Sequence, residues 1–108
     1  MNAPMDAPKA RTALTATQVI TRLTQLNGER AQGWRVIDGA LEKSFEFADF
    51  HQTMAFVNAV AFMAHRQDHH PELLLSYGRC TVRWQTHDVA ALSASDFLCA
   101  AKVDALLD

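Results

Sequence analysis

Histidines are concentrated in one part of this chain. His65, His69 and His70 fall within six residues at the end of a predicted long helix, and His87 stands at the end of a predicted strand. A histidine side chain both gives and accepts protons near neutrality, with an unperturbed pKa of about 6.5. Converging histidines therefore predict general acid–base catalysis, which contributes typically about 10²–10⁴-fold in rate. The remaining His51 is interpreted as a solvated surface residue.

The same histidines leave a metal site open as an alternative. His65 and His69 have the four-residue spacing of a zinc-ligand pair on one helix face, and His87 is available as a third ligand. Against this alternative, Pro71 interrupts the helical frame that would hold the pair. The four glycines are also too dispersed for a phosphate-binding loop. The sequence therefore favours a site with no metal and no organic cofactor.

Several residues near the histidines have simple structural alternatives. Asp68 and Glu72 are solvated helix-end charges if they take no part in chemistry. Asp96 follows Ser93 by three residues, which is the spacing of a capping pair at the start of a helix. Trp84 alternates as a core residue does, and we assign it to the core.

Capping patterns mark the beginnings of three predicted helices. Each has a Ser, Thr or Asp followed three residues later by a side chain that completes a capping pair. The pairs are Thr15 with Gln18, Asp49 with Gln52, and Ser93 with Asp96. We expect the first helix to end at Gly28 and the second to run to about Arg66, before Pro71.

Apolar spacing predicts which faces of these helices are buried. The first helix buries Val19, Leu23 and Leu26. The core stripe of the long helix is predicted to comprise Phe50, Met54, Val57, Ala61 and Ala64. A neighbouring apolar strip comprises Phe56, Val60 and Met63, and we expect it to cover a second surface, such as another subunit. The last helix carries Phe97, Leu98, Ala101, Val103 and Leu106.

Alternating segments predict two hairpins. The first turns at Asp38-Gly39, a strong hairpin signal because both turn residues need a positive φ. The returning segment places Leu41, Lys43, Phe45 and Phe47 on one face. The second hairpin pairs residues 73–77 with 80–86 around Gly78-Arg79, and one face of its second strand carries Cys80, Val82, Trp84 and Thr86.

These elements predict an α+β fold in the order α-β-β-α-β-β-α, with three helices packed on one face of a four-stranded antiparallel sheet. We expect residues 1–12 to form a flexible N-terminal tail and residues 13–108 to form a single domain.

Composition excludes several function classes. Ten basic residues are scattered among twelve acidic ones, and the net charge of −2 argues against nucleic-acid binding. No apolar run approaches the length of a membrane span, and the N-terminus lacks the hydrophobic core of a secretory signal. Cys80 and Cys99 are interpreted as buried thiols in a reducing compartment, so we expect a cytoplasmic location.

The run Asp68-His69-His70-Pro71-Glu72, followed by a distant Thr86-His87, resembles the pterin-4a-carbinolamine dehydratase family. The resemblance extends from Trp34 to about Leu106. Other positions that share it are the Phe45-x-Phe47 pair, Asp49-Phe50, Tyr77, Leu92-Ser93 and Asp96.

The resemblance implies a sheet of four strands with three helices, assembling as a homodimer or homotetramer. It implies dehydration of a pterin carbinolamine left by aromatic amino-acid hydroxylases, without metal or cofactor. His69, His70 and His87 match the family's active-site histidines, with His69 and His87 expected as the acid–base pair and His70 holding the pterin. The expected supporting residues are Asp68, Pro71, Glu72, Thr86, Asp96 and His65.

Three positions depart from the family pattern. The family often has glutamate where this chain has His65, tryptophan where it has Leu73, and glycine where it has Ala91. The first departure changes the expected charge beside His69, and the second removes an aromatic contact. A non-catalytic scaffold, acting in assembly or as a coactivator, is therefore the alternative hypothesis.

Overall fold

A computed structural model of the chain describes residues 11–87, 89 and 91–108. The elements follow the order α1 (Ala16–Asn27), β1 (Arg35–Ile37), β2 (Ala40–Glu46), α2 (Phe50–Gln67), β3 (Glu72–Ser76), β4 (Arg79–Trp84) and α3 (Ala94–Ala105). The four strands pair antiparallel in the order β1-β2-β4-β3. The predicted α+β fold is therefore confirmed. Residues 1–10 of the predicted tail lie outside the described part of the chain.

The predicted capping pairs begin the helices. Thr15 accepts a hydrogen bond from the backbone N–H of Gln18, whose side chain accepts one from the backbone N–H of Thr15. Asp49 accepts one from the backbone N–H of Gln52 at 2.8 Å. Because these side chains satisfy donors that have no partner within the helix, the helix starts are set locally. Of the helices formed by the described residues, none is long and apolar enough to cross a membrane.

The first hairpin turns as predicted, and the second is displaced by one residue. Asp38 and Gly39 both have positive φ, 50° and 79°. The second turn is Tyr77-Gly78 rather than Gly78-Arg79. Arg79 instead opens β4, because its backbone pairs with Ser76 on one side and with β2 on the other.

The core lies between the sheet and the three helices. Trp34, Phe45 and Phe56 form an aromatic series across it, with ring centroids 6.0 Å and 4.8 Å apart. From α1, only partly buried side chains pack against this core: Val19, Leu23 and Leu26. The predicted inward face of the last strand is confirmed as buried: Cys80, Val82 and Trp84 on β4, and Thr86 just beyond its end.

The buried face of α2 differs from the predicted stripe. The residues that α2 buries are Thr53, Phe56, Val60, Ala64 and Gln67. Of the predicted stripe only Ala64 is among them, while Phe50 is 46% exposed. Thr53 is tolerated inside because its hydroxyl donates to backbone carbonyls of Asp49 and Tyr77. A pattern based on apolar residues alone misplaces a face that contains a satisfied polar residue.

The face of α3 was also predicted only in part. Phe97 and Val103 are buried as expected, but Leu98 is half-buried, and Ala101 and Leu106 are exposed. The buried positions instead include Asp96 and two small residues, Cys99 and Ala100.

Candidate active site

The turn after α2 sets the direction of the motif histidines. Asp68 adopts a left-handed conformation, with φ 52° and ψ 43°. The backbone N–H groups of Asp68 and His69 donate to the carbonyls of His65 and Ala64, each at 3.2 Å, which forms a Schellman C-cap. An aspartate tolerates this conformation better than most residues do. Asp68 therefore ends the helix and turns His69 inward.

This turn removes the premise of the zinc alternative. His69 lies beyond the last helical residue, Gln67, so it does not share a helix face with His65. His69 is 5% exposed, whereas His65 is exposed to solvent. Within the described ranges, no group of three His, Cys, Asp or Glu side chains is arranged to hold a metal ion.

The ring of His69 is held on two sides. Its Nε2 lies 2.6 Å from Oδ1 of the fully buried Asp96. Its face stacks on the indole of Trp84, with centroids 5.5 Å apart and planes 12° apart. A carboxylate only accepts hydrogen bonds, so with Asp96 as the acceptor this contact requires the ring proton of His69 to be on Nε2. Nδ1 is then the nitrogen of His69 left for proton exchange with another molecule.

Asp96 combines a capping role with its contact to His69. Its Oδ2 accepts hydrogen bonds from the hydroxyl of Thr86 at 2.7 Å and from the backbone N–H of Ser93 at 2.9 Å. The hydroxyls of Thr86 and Ser93 lie 2.6 Å apart. The predicted cap is thus confirmed, and the same carboxylate also bonds the motif histidine.

Two neighbouring cavities bring the motif histidines together. A small one of about 140 Å³ is lined by Arg11, Asp68, His69, His70, Thr86 and His87. A larger one of about 410 Å³ is lined by Ala40, His70, Pro71, Glu72, Arg83, Gln85 and His87. His70 and His87, both exposed, line both cavities. The larger volume lies within the range of small-molecule sites, about 300–1,000 Å³.

The wall of the larger cavity is held by ion pairs across the sheet. Arg83 donates to Glu72 at 2.9 Å and also contacts Glu42 on the other neighbouring strand. The hydrogen bond with Glu42 raises the pKa of Arg83, burial opposes that rise, and Glu72 adds to it. The side chain of Gln85 donates to the carbonyl of Gly39 at 3.3 Å. These contacts give the cavity a fixed polar wall.

The predicted site residues therefore fall into two groups. Seven of them line the two cavities: Asp68, His69, His70, Pro71, Glu72, Thr86 and His87. The other two, His65 and Asp96, line neither, although Asp96 contacts the ring of His69. Leu73, at the position where the family often has tryptophan, packs against the core. Ala91, at the position where the family often has glycine, accepts a hydrogen bond from the backbone N–H of Thr86 at 3.0 Å.

Among the described residues that line the cavities, four were not predicted from the sequence: Arg11, Ala40, Arg83 and Gln85. For Arg83, a signal was available once strand register is considered, because acidic residues stand opposite it on both neighbouring strands. For Arg11 no local pattern exists, since its partners lie 56 to 84 residues away.

Comparison with known proteins identifies the family. The sequence profile of the family described as pterin 4 alpha carbinolamine dehydratase matches residues 12–106. The chain belongs to this family. A relative from Paracidovorax citrulli that bears the family's name is 50% identical over 101 residues, which cover 91% of this chain and 84% of the relative. Another, from Nitrosomonas eutropha, is 50% identical over 76 residues, covering 70% and 67%.

Solved structures of the pterin carbinolamine dehydratase family share the fold. A transcriptional coactivator/pterin dehydratase from Brucella melitensis superposes with a TM-score of 0.81 at 30% identity, covering 90% of this chain and 100% of that one. A pterin dehydratase-like protein, identified as a RuBisCO assembly factor in the alpha-carboxysome, gives 0.61 at 25% identity, covering 70% and 90%. The family therefore includes proteins to which roles other than dehydration are assigned.

Proposed function

We propose that this protein is a hydro-lyase that dehydrates a pterin-4a-carbinolamine to the quinonoid dihydropterin. In this reaction the C4a–O bond breaks and the departing hydroxyl takes up a proton to leave as water. A ring nitrogen loses its proton, and its electron pair forms a C=N bond to C4a. The chemistry needs one group that gives a proton and one that accepts a proton. The observation that carries the proposal is the grouping of His69, His70 and His87 around one cavity.

His69 is suited to proton transfer because its ring is held in one orientation. Because Nε2 is hydrogen-bonded to Asp96, Nδ1 is the nitrogen that exchanges a proton with the substrate. When Nδ1 takes up a proton, the resulting imidazolium is stabilised by a carboxylate at 2.6 Å. A fixed orientation lowers the cost of reaching the reactive geometry.

His87 and His70 supply the remaining roles in this proposal. His87 acts with His69 as the second member of the acid–base pair, and it belongs to a different loop, so the two approach the substrate from different elements. His70 lines both cavities and holds the pterin ring between them. Glu72 and Arg83 form the polar wall that faces the ring.

Stopped-flow spectroscopy of carbinolamine decay tests the proposal. We expect micromolar protein to accelerate the decay, and His69→Ala and His87→Ala each to reduce kcat by about 10²-fold or more. His70→Ala is expected to raise KM more than it lowers kcat. His51→Ala is the matched control, because His51 is exposed on α2 and lines neither cavity.

The alternative is the non-catalytic scaffold. It is favoured by the coactivator role of the Brucella melitensis protein and by the assembly role of the carboxysome protein. A wild-type protein that leaves the decay rate unchanged supports the scaffold and contradicts the hydro-lyase. An acceleration that survives in both His69→Ala and His87→Ala contradicts the assigned roles but keeps the activity.

We further propose that the protein acts in the cytoplasm, where it recycles tetrahydropterin for an aromatic amino-acid hydroxylase. We also propose that it assembles as a homodimer or homotetramer. Exposed apolar side chains support self-association: Phe62 on α2 is 68% exposed, and Leu74 on the edge strand β3 is 56% exposed. Sedimentation equilibrium distinguishes the two assemblies by mass. Phe62→Glu is expected to weaken the association, and a monomeric wild type would contradict it.

A further inference from the structure

The side chain of Arg11 joins two helix ends beside the candidate active site. Its Nη2 donates to the carbonyl of Asp68 at 3.0 Å and to that of Gln67 at 3.4 Å, where α2 ends. Its Nε donates to the hydroxyl of Ser95 at 3.1 Å, where α3 begins. One planar group therefore links segments that are distant in sequence and adjacent in the fold.

The same two helix ends carry the partners of the central hydrogen bond of the site. His69 directly follows Asp68, and Asp96 directly follows Ser95. A guanidinium presents its N–H groups in a rigid fork, so bonds at both ends restrict the separation of the segments that it joins. We propose that Arg11 is a positioning residue that sets the alignment of His69 with Asp96.

The charge of Arg11 also suits this place. A cation is stabilised at the C-terminal end of a helix, where backbone carbonyls carry partial negative charge. The pKa of the Cys99 thiol, on α3, is raised to about 12, chiefly by burial and also by the Asp96 carboxylate, and the charge of Arg11 opposes the rise. The positive charge of Arg11 therefore acts on the same part of α3 as Asp96.

A backbone contact holds the segment that carries Arg11. The N–H of Leu14 donates to the carbonyl of Leu92 at 2.9 Å, just before the loop that leads into α3. The family profile begins at residue 12, so Arg11 stands immediately ahead of the matched region. The role proposed for Arg11 extends the site to a segment that the motif does not include.

The kinetic test compares Arg11→Met and Arg11→Lys with the control Arg66→Met, and it depends on the proposed dehydratase activity. Arg66 is exposed in the last turn of α2, so its replacement removes a positive charge from the same helix end. Arg11→Met is expected to lower kcat about tenfold or more while KM changes less than about twofold, because misaligned catalytic groups lose rate. Arg11→Lys should recover only part of the loss, since an ammonium lacks the planar fork. Arg66→Met should keep kcat within about twofold.

A second measurement does not depend on activity. Long-range ¹H–¹⁵N spectra of the histidine rings report the protonation and hydrogen bonding of His69 Nε2 in the free protein. We expect the signal of the Nε2 proton to be resolved in wild type and in Arg66→Met, and to broaden or disappear in Arg11→Met. If Arg11→Met does not fold, Ser95→Ala carries the same test, because it removes a single bond of Arg11.

The possible outcomes separate the two proposals. An unchanged His69 signal in Arg11→Met overturns the positioning role, whatever happens to kcat. A rise in KM at constant kcat also overturns it, because Arg11 would then contact the substrate. If wild type does not accelerate carbinolamine decay, the dehydratase proposal fails, and the spectra alone decide the role of Arg11.

Discussion

Replacing Asp96 by asparagine tests the central hydrogen bond of the site. The carboxylate accepts three hydrogen bonds, from His69, Thr86 and the backbone of Ser93. The amide keeps a single acceptor oxygen, so capping of α3 survives only if its NH₂ group faces His69. In that arrangement Nε2 of His69 must accept a hydrogen bond, so the ring proton moves to Nδ1. Nδ1 then has no lone pair with which to accept a proton from the substrate.

The expected loss follows from these contacts. Hydrogen bonds to charged groups contribute about 1.5–3 kcal/mol each to the free energy of unfolding. Because the neutral amide weakens all three bonds, we expect Asp96→Asn to lower the free energy of unfolding by about 2–4 kcal/mol. For a domain of this size each kcal/mol lowers Tm by about 4–8 °C, which gives about 8–32 °C. Because the ring proton is misplaced, kcat should fall by about 10²–10³-fold.

Urea unfolding and stopped-flow kinetics measure the two effects separately. Asp104→Asn is the matched control, since Asp104 is a buried carboxylate on the same helix that accepts hydrogen bonds from Trp34 Nε1 at 3.1 Å and Lys43 Nζ at 2.9 Å. We expect it to lose about 1–3 kcal/mol of unfolding free energy and to keep kcat within about twofold. The role assigned to Asp96 is contradicted if Asp96→Asn unfolds like wild type, or if it is destabilised but fully active.

Four further predictions concern the turn after α2, the reactivity of the thiols, the pH dependence of stability and a close backbone approach. Asp68 has a φ of 52°, which glycine adopts readily and a β-branched residue does not. Asp68→Gly should therefore leave the urea midpoint unchanged or raise it, whereas Asp68→Val should lower the free energy of unfolding by about 1–2 kcal/mol. Equal midpoints would argue against the left-handed cap. Burial raises the pKa of Cys80 and Cys99, so neither thiol should react with a disulfide reagent in the native state, while both should react in denaturant. The raised pKa of Cys99 also makes stability depend on pH, because the unfolded thiol ionises near its ordinary pKa of 9.0 while the folded thiol stays neutral to about 12. Its contribution to the unfolding free energy is therefore complete below 9.0 and is lost as the pH rises toward about 12. An unfolding free energy that stays constant over this interval would contradict this prediction. Gly78→Ala should cost about 1–3 kcal/mol in urea unfolding, since its Cβ would lie 2.8 Å from the carbonyl oxygen of Phe47, and a wild-type midpoint would show that the backbone yields.

The sequence by itself determined the elements whose causes are local. The Thr15 cap, the Asp38-Gly39 turn and the start of the long helix at Asp49 each depend on residues within four positions of one another. The identity of the motif histidines was also available in the sequence, because residue types and spacing alone define the motif.

Only the tertiary structure decided which groups meet. The buried face of α2 could not be predicted, because Thr53 packs against the second hairpin. There its hydroxyl contacts the carbonyl of Tyr77, 24 residues away, in addition to that of Asp49. The contact of His69 with Asp96 spans 27 residues, and that of Arg11 with Ser95 spans 84. Such contacts depend on how α2 and α3 pack together, and no periodicity within a single segment encodes that packing.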